Sequence, residues 1–227
     1  MTELNNQLHH IIETINLAEN QAGIKPNSVQ LLAVSKTQSA EIIRQVAESG
    51  QRRFGENYLQ EALVKMSSLA DLSIEWHFIG PIQSNKTKDI AANFDWVQTV
   101  DRLKIAQRLN NQRPNNIGKL NICIQINIDN EVTKSGIAAA DVFSLAEQIS
   151  QLNNLQLRGL MIIPTNTDDP VQQQHSLNQA HKLFIELANL YPSVDTLSMG
   201  MSADMTTAIA EGSTMVRIGT ALFGERR

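Results

Sequence analysis

Cysteine occurs once in the 227 residues, as Cys123. That excludes a disulfide framework and a cysteine-based metal site, and its place in an apolar alternation reads as a buried thiol. Basic residues are also scarce: 19 Lys and Arg against 23 Asp and Glu leave a formal charge of -4. Such a balance carries no electrostatic footprint for nucleic acid. No basic run is long enough for an anionic membrane surface either. No apolar run approaches the ~18 residues of a membrane span. The N-terminus lacks a basic leader followed by an apolar core, so no signal peptide is expected. Linkers rich in Gly, Ser or Pro, low-complexity blocks and sequence repeats are missing too. These absences predict a soluble cytoplasmic protein of one domain, residues 1–227.

What is present is a hydrophobic content of 42%, enough for a sizeable core, in a regular alternation of two periods. Leu4, Leu8, Ile11, Ile12 and Ile15 fall at helical spacing between Glu3 and Ala22, with Gly23 as a stop. Strand patterns follow at VQLLAVSK from Val29, RRFG from Arg52, IEWHFIG from Ile74 and DWVQTV from Asp95. Four more lie at LNICIQINI from Leu120, LQLRGLMII from Leu155, TLSMG from Thr196 and TMVRIG from Thr214. Helical patterns separate them. Ser39 can cap a helix carrying Ile42, Ile43 and Val46 that ends at Gly50. Asp169 and Pro170 can open a long helix containing Leu177, Phe184 and Leu187. Asp101 and Ser84 are further candidate caps. Eight alternating units predict an α/β fold, a (β/α)8 TIM barrel with an extra N-terminal helix. An open doubly wound sheet is the alternative.

Barrel active sites lie at the C-terminal ends of the strands. Lys36 ends the first strand pattern, on the side of the pleat shared by Leu32 and Val34. A lysine desolvated in the barrel mouth is a nucleophile toward aldehydes, able to form a Schiff base. A solvated strand-end lysine fits the position equally well. SMGMSADM from Ser198 and VRIGTALFGE from Val216 shift that balance, because barrels frequently bind phosphate with the loops after strands seven and eight. Gly200 and Gly219 let backbone approach a ligand, and Ser202 and Thr220 add hydroxyl donors. Ser202 is expected to start the helix containing Met205 and Ile209, with free N–H groups toward an anion. Arg217, late in an otherwise apolar strand, needs a partner; a structural ion pair with Glu56 or Glu225 is the plain alternative to a site role. An imine-forming lysine, a phosphate cup and an interior arginine together describe a site for pyridoxal 5'-phosphate.

The motifs VSKT at Val34, FGENY at Phe54, HFIG at His77, QSNK at Gln83, KSG at Lys134, GLM at Gly159, SMGMSADM and VRIGTALFG occur in that order. Together they resemble the pyridoxal phosphate homeostasis protein family, also called proline synthetase co-transcribed proteins, over nearly the whole chain. The resemblance implies a barrel of the alanine racemase N-terminal domain type. It also implies Lys36 as the Schiff-base lysine, a phosphate site lined by Ser202, Gly219 and Thr220, Arg217 at the ring nitrogen, and Asn57 bordering the cofactor. Many members carry a second lysine where this chain has Gln38, which counts against a cofactor hand-off between neighbouring lysines. Lys134 is retained and reads equally as a loop lysine.

Three functions fit a lysine beside a phosphate cup: a non-catalytic pyridoxal phosphate binder serving cofactor homeostasis, an amino-acid racemase, and a Schiff-base aldolase acting on a phosphorylated sugar. Racemisation needs acids or bases on both faces of the substrate α-carbon. In alanine racemase the second is a tyrosine from a separate C-terminal domain, which is not expected where the chain ends at Arg227 just after LFG. Tyr191 reads as helix-end packing and Tyr58 as an aromatic stapling a helix start to the core. His77 reads as a satisfied core histidine, and Glu56 as a candidate acid or a helix cap. The expectation is therefore a binder without appreciable turnover, a monomer or weak dimer whose recipients are apo-enzymes using the same cofactor.

Overall fold

Each of the strand patterns forms a strand, all pairs are parallel, and the last strand returns to the first, closing a barrel in sequence order. In the computed structural model, which describes residues 3–129, 131, 134–165, 167 and 169–224, the strands are β1 (Gln30–Val34), β2 (Arg53–Glu56), β3 (Glu75–Phe78), β4 (Trp96–Val100), β5 (Leu120–Ile126), β6 (Leu155–Ile162), β7 (Thr196–Ser198) and β8 (Met215–Ile218). The helices are α1 (Glu3–Gln21), α2 (Ala40–Glu48), α3 (Leu59–Ser68), α4 (Thr87–Asn93), α5 (Leu103–Gln112), α6 (Val142–Ser150), α7 (Pro170–Leu190), α8 (Met205–Ala210) and α9 (Thr220–Phe223). The barrel is closed, so the open-sheet alternative does not describe it. Because α9 is a single turn, α1 takes the vacant place in the outer ring, packed against α8, α9 and α2.

Strands covered on both faces read as nearly continuous apolar runs. The outward faces of the barrel supply Ile122, Ile124, Leu160, Ile162, Leu197, Val216 and Ile218 to one core shared with Ile43, Val46, Ile105, Leu109 and Leu187 of the helices. Each such fully buried side chain contributes roughly 1.5–3 kcal/mol relative to exposure. Local signals set the helix ends. Ser39 accepts from the Ile42 N–H at the start of α2, and Gly50 follows that helix with φ +107°. Asp169 accepts from the Val171 N–H at the start of α7, with Pro170 in the first helical position. The other two proposed caps do not act as such. Asp101 instead binds the Arg102 guanidinium, and Ser84 opens a 3-10 turn whose carbonyl accepts from Thr87 and Arg108.

The lumen is packed. Contacts between strands that are not sheet neighbours can only cross it. Gln98 of β4 lies 3.1 Å from the sulfur of Met215 on β8, and 2.7 Å from the Ser198 hydroxyl of β7. Trp96, Cys123 and Met161 form an apolar cluster of their own there. Cys123 is fully buried, and burial pushes its thiol well above the usual range. At Gly159, φ is +148° and a Cβ would fall 1.8 Å from the Thr196 carbonyl oxygen, so only glycine lets β6 come this close to β7.

Candidate functional site

At the C-terminal end of the barrel a cavity of about 310 Å³ opens. Its walls include Lys36 after β1, Asn57 after β2, Ser202 from the β7–α8 loop, Arg217 on β8, and Gly219 and Thr220 following β8. Every residue assigned to a cofactor from sequence thus faces one space, which is within the size range of small-ligand sites. Apolar wall is supplied by Val34, Ile79, Met161, Ile163, Met201 and Phe223, with Gln38 beside Lys36.

Lys36, expected to end the first strand, lies two residues beyond the observed end of β1 at Val34, in a turn that starts at Ser35. The Gln38 N–H donates to the Ser35 carbonyl over 3.0 Å, and Thr37 has φ +67°. A positive φ at the third position is the type II pattern that favours glycine, and a β-branched residue there is strained by roughly 1–3 kcal/mol. A buried ionic cluster holds the turn. The Lys65 ammonium of α3 donates to the Ser35 carbonyl at 2.8 Å, to Glu56 Oε1 at 2.8 Å, and to Glu61 Oε1. The Ser35 hydroxyl donates to the same Glu56 oxygen at 2.6 Å, and the Thr37 N–H to Glu61 Oε1 at 2.6 Å. Burial raises the Glu56 carboxyl, opposed by Lys65 and Ser35. Glu56 is therefore a support beneath the lysine turn, neither a helix cap nor an acid facing the cavity.

The opposite wall is made for an anion. Gly200 has φ +94°, and a Cβ there would stand 2.6 Å from the Ala208 Cβ, so the chain can turn toward the cavity only with glycine. Gly219 differs: its φ is negative, and a Cβ would meet Val34 at an ordinary 3.5 Å. Nothing in the protein's own packing requires glycine there, yet a side chain would narrow the cavity. Ser202 does not start α8 as expected. Asp204 occupies that helix's N-cap position and turns its carboxylate back to the Met201 N–H at 2.6 Å. Ser202 Oγ instead accepts from the Ala221 N–H at 3.4 Å, joining the two loops. Among the described residues, no internal hydrogen bond engages the backbone N–H groups of Ser202, Ala203 or Thr220. Such donors at a cavity wall suit an anion.

Arg217 is 5% exposed and hydrogen-bonds to the carbonyls of Ser198 at 2.7 Å and Ile162 at 2.8 Å, and to the Ser198 hydroxyl at 2.9 Å. The alternative, an ion pair with Glu56, does not form, because Glu56 is committed to Lys65; Glu225 lies outside the described residues. No carboxylate stands within salt-bridge distance of Arg217 among the described residues. Burial lowers its guanidinium to about 10, with Asp204 acting in the opposite direction. Asn57 Oδ1 is also buried with no partner among the described residues. An amine, anion-ready loops, a guanidinium and an unsatisfied amide oxygen suit a phosphorylated aldehyde carrying further polar atoms.

Other candidates fall outside this space. Lys134 pairs with Glu131 at 3.0 Å and donates to the Pro164 carbonyl at 2.9 Å, bracing two loops. Tyr58, at the N-cap of α3, is 55% exposed rather than packed into the core as a staple. Tyr191 packs at the end of α7. His77 is fully buried with both ring nitrogens hydrogen-bonded. The sequence reading missed Lys65, which looks like a surface lysine on α3, and the inward-facing Gln98 and Ser198, for which polar residues inside buried strand runs were the available signal.

Comparison with known proteins places these features in context. The alanine racemase N-terminal domain family matches residues 8–227. The chain is 53% identical over 230 residues to the pyridoxal phosphate homeostasis protein of Vibrio alginolyticus, spanning 100% of this chain and 99% of that protein. It is 48% identical over 229 residues to the protein of the same name from Escherichia coli K12, spanning 100% and 98%. Among solved structures, PipY of Synechococcus elongatus with pyridoxal phosphate bound superposes with TM-score 0.81 at 38% identity, over 94% of this chain and 100% of that one. Alanine racemase of Clostridium difficile shares the fold, with TM-score 0.74 at 13% identity, over 95% of this chain and 56% of the racemase.

Proposed function

The chain belongs to the pyridoxal phosphate homeostasis protein family, built on the alanine racemase N-terminal domain, and on that premise we propose that residues 1–227 form one domain that holds pyridoxal 5'-phosphate through Lys36 without appreciable turnover. The observation that carries this reading is the convergence of Lys36, Asn57, Ser202, Arg217, Gly219 and Thr220 on one cavity. Bound there, the cofactor would supply an aldehyde reactive toward a primary amine. Lys36 provides that amine from a turn clamped by Lys65. Ser202, Gly219 and Thr220 receive the phosphate with hydroxyl and backbone donors. Arg217 would donate a hydrogen bond to the ring nitrogen and keep its own proton, and Asn57 would border the ring with an oxygen that has no partner among the described residues.

The residues around the cavity also favour storage and delivery over catalysis. Among the described lining residues, the ionisable groups are Lys36 and Arg217; no histidine, tyrosine, carboxylate or thiol joins them. Racemisation requires a second proton donor on the face opposite the lysine. An arginine at the ring nitrogen would leave the ring unprotonated and a weaker electron sink, which counts only against chemistry that needs a strong one. Among the described residues no helix is long and apolar enough to cross a membrane. The protein acts in the cytoplasm as a monomer or weak dimer, and its recipients are apo-enzymes that use the same cofactor.

Incubating the loaded protein with L-alanine and L-serine in deuterated water tests the absence of turnover. The expected result is neither α-deuterium incorporation nor D-isomer above background. Formation of the D-isomer at enzymatic rates would establish a racemase. Displacement of the cofactor by sugar phosphates that react at Lys36 would establish an aldolase.

A further inference from the structure

A file of hydrogen bonds runs along the barrel axis beneath the cavity. It begins at Glu75, at the start of β3, and reaches Arg217. His77 Nε2 lies 2.9 Å from Glu75 Oε1, and His77 Nδ1 lies 2.9 Å from Gln98 Nε2. The Ser198 hydroxyl lies 2.7 Å from Gln98 Oε1, and Arg217 Nη1 lies 2.9 Å from the Ser198 hydroxyl. His77, Gln98 and Ser198 are all 0% exposed. A buried polar network of this kind is stable only when every member is satisfied.

The chemistry of its members fixes the direction. Gln98 Nε2 also lies 3.1 Å from the Met215 sulfur. A thioether accepts and cannot donate, so the amide nitrogen belongs on that side and the amide oxygen faces Ser198. A guanidinium only donates, so Ser198 Oγ accepts from Arg217 and gives its own proton to Gln98. Gln98 then donates to His77 Nδ1. That leaves the imidazole proton on Nε2, pointing to Glu75. Every bond runs the same way, from a buried cation to a carboxylate at the far mouth of the barrel. Trp96, stacked on His77 with centroids 5.1 Å apart and planes 12° apart, holds the imidazole in register. At the other end, the carbonyls of Ser198 and Ile162 and the Ser198 hydroxyl take up Nη1 and one proton of Nη2. Among the described residues nothing takes up the Nε–H or the second Nη2 proton, which leaves both for a ligand.

We propose that Glu75, His77, Gln98 and Ser198 form a one-directional relay that positions Arg217 as a fixed hydrogen-bond donor toward the ring nitrogen of the bound cofactor. This rests on the reading of the cavity as a pyridoxal phosphate site. Gln98 and Ser198 are positioning residues: they touch Arg217 or its partner and stay out of the cavity lining.

The test uses the full chain in two states. In the protein without cofactor, nitrogen NMR of His77 reports its tautomer, and the Arg217 Nε–H resonance reports the guanidinium. In binding titrations, pyridoxal phosphate is compared with an analogue whose ring nitrogen is replaced by carbon. The wild type is expected to carry the His77 proton on Nε2. Gln98→Leu is expected to shift the Arg217 resonance and weaken pyridoxal phosphate about tenfold, the equivalent of one hydrogen bond, with the carbon analogue nearly unchanged. Ser198→Ala, which removes a single oxygen and keeps the backbone carbonyl on Arg217, is expected to act in the same direction should Gln98→Leu fail to fold. Ser198→Thr is expected to restore both readouts. A His77 proton on Nδ1, an Arg217 resonance unmoved in the folded variants, or equal weakening of both ligands would overturn the relay. If the wild type gives the expected NMR signatures but binds neither ligand at Lys36, the cofactor reading fails and the donor loses its target.

Discussion

Lys65→Met removes the ammonium that ties the lysine turn together, and the structure gives its consequence a size. Lys65 is 4% exposed and Glu56 0% exposed. Without Lys65, Glu56 keeps only the Ser35 hydroxyl among the described residues, at 2.6 Å, and its Oε2 already has no partner among them. Breaking a buried pair from one side costs roughly 3–5 kcal/mol, because the remaining charge is desolvated and uncompensated. The same change removes one of the two donors to the Ser35 carbonyl and leaves only the Gln38 N–H, so the strained Thr37 conformation loses a restraint immediately beside Lys36. Urea unfolding is expected to show a loss of about 3–5 kcal/mol, and absorbance titration a weaker attachment of cofactor although Lys36 itself is intact. Adding Glu56→Leu removes the stranded carboxylate, and most of the stability is expected to return. Attachment is expected to stay weak, since the turn is still unclamped. A Lys65→Met protein within about 1 kcal/mol of wild type, or a double variant that binds as tightly as wild type, would refute the clamp.

Ser202→Ala and Gly219→Leu are each expected to weaken pyridoxal phosphate far more than unphosphorylated pyridoxal. A hydrogen bond to a charged group is worth roughly 1.5–3 kcal/mol, so about tenfold or more is expected for Ser202→Ala; equal losses for both ligands would place these residues in the fold alone. Stability is expected to fall with pH on the acid side of neutrality. Burial holds His77 below the ordinary imidazole range, against the opposing pull of Glu75, with Arg53 and Asp95 also facing it. As pH drops through about 6.5 the unfolded chain takes up this proton and the folded one does not, costing up to about 1.4 kcal/mol per pH unit. In chemical denaturation between pH 7 and pH 5, His77→Gln is expected to flatten that slope; an unchanged slope would rule out His77 as its source.

The barrel was legible because the outward faces of most strands are plainly apolar; the short β2 and β7, of four and three residues, carry the weakest patterns. The cavity was legible because Lys36, Arg217 and the two glycine loops lie where strand ends must meet. What sequence placed wrongly was local competition between similar residues. Ser202 and Asp204 can each cap a helix, and Asp204 holds the N-cap position. Tyr58 could have turned either way at its helix start, and it turned to solvent. The axial file was hidden for another reason. Gln98 and Ser198 belong to strands far apart in the chain, and only closure of the barrel brings their side chains within 2.7 Å. Lys65 looks like a surface lysine on α3 with Glu61 one turn before it, until the burial of Glu56 gives it a second partner.

Borohydride reduction of the cofactor-loaded protein, followed by peptide mapping, tests the central claim most directly. The protein is expected to be yellow, the reduced pyridoxyl group to reside on the peptide containing Lys36, and Lys36→Ala to lose the colour while remaining folded. A dominant label on Lys134 or Lys86, or a Lys36→Ala protein that keeps the chromophore, would contradict it.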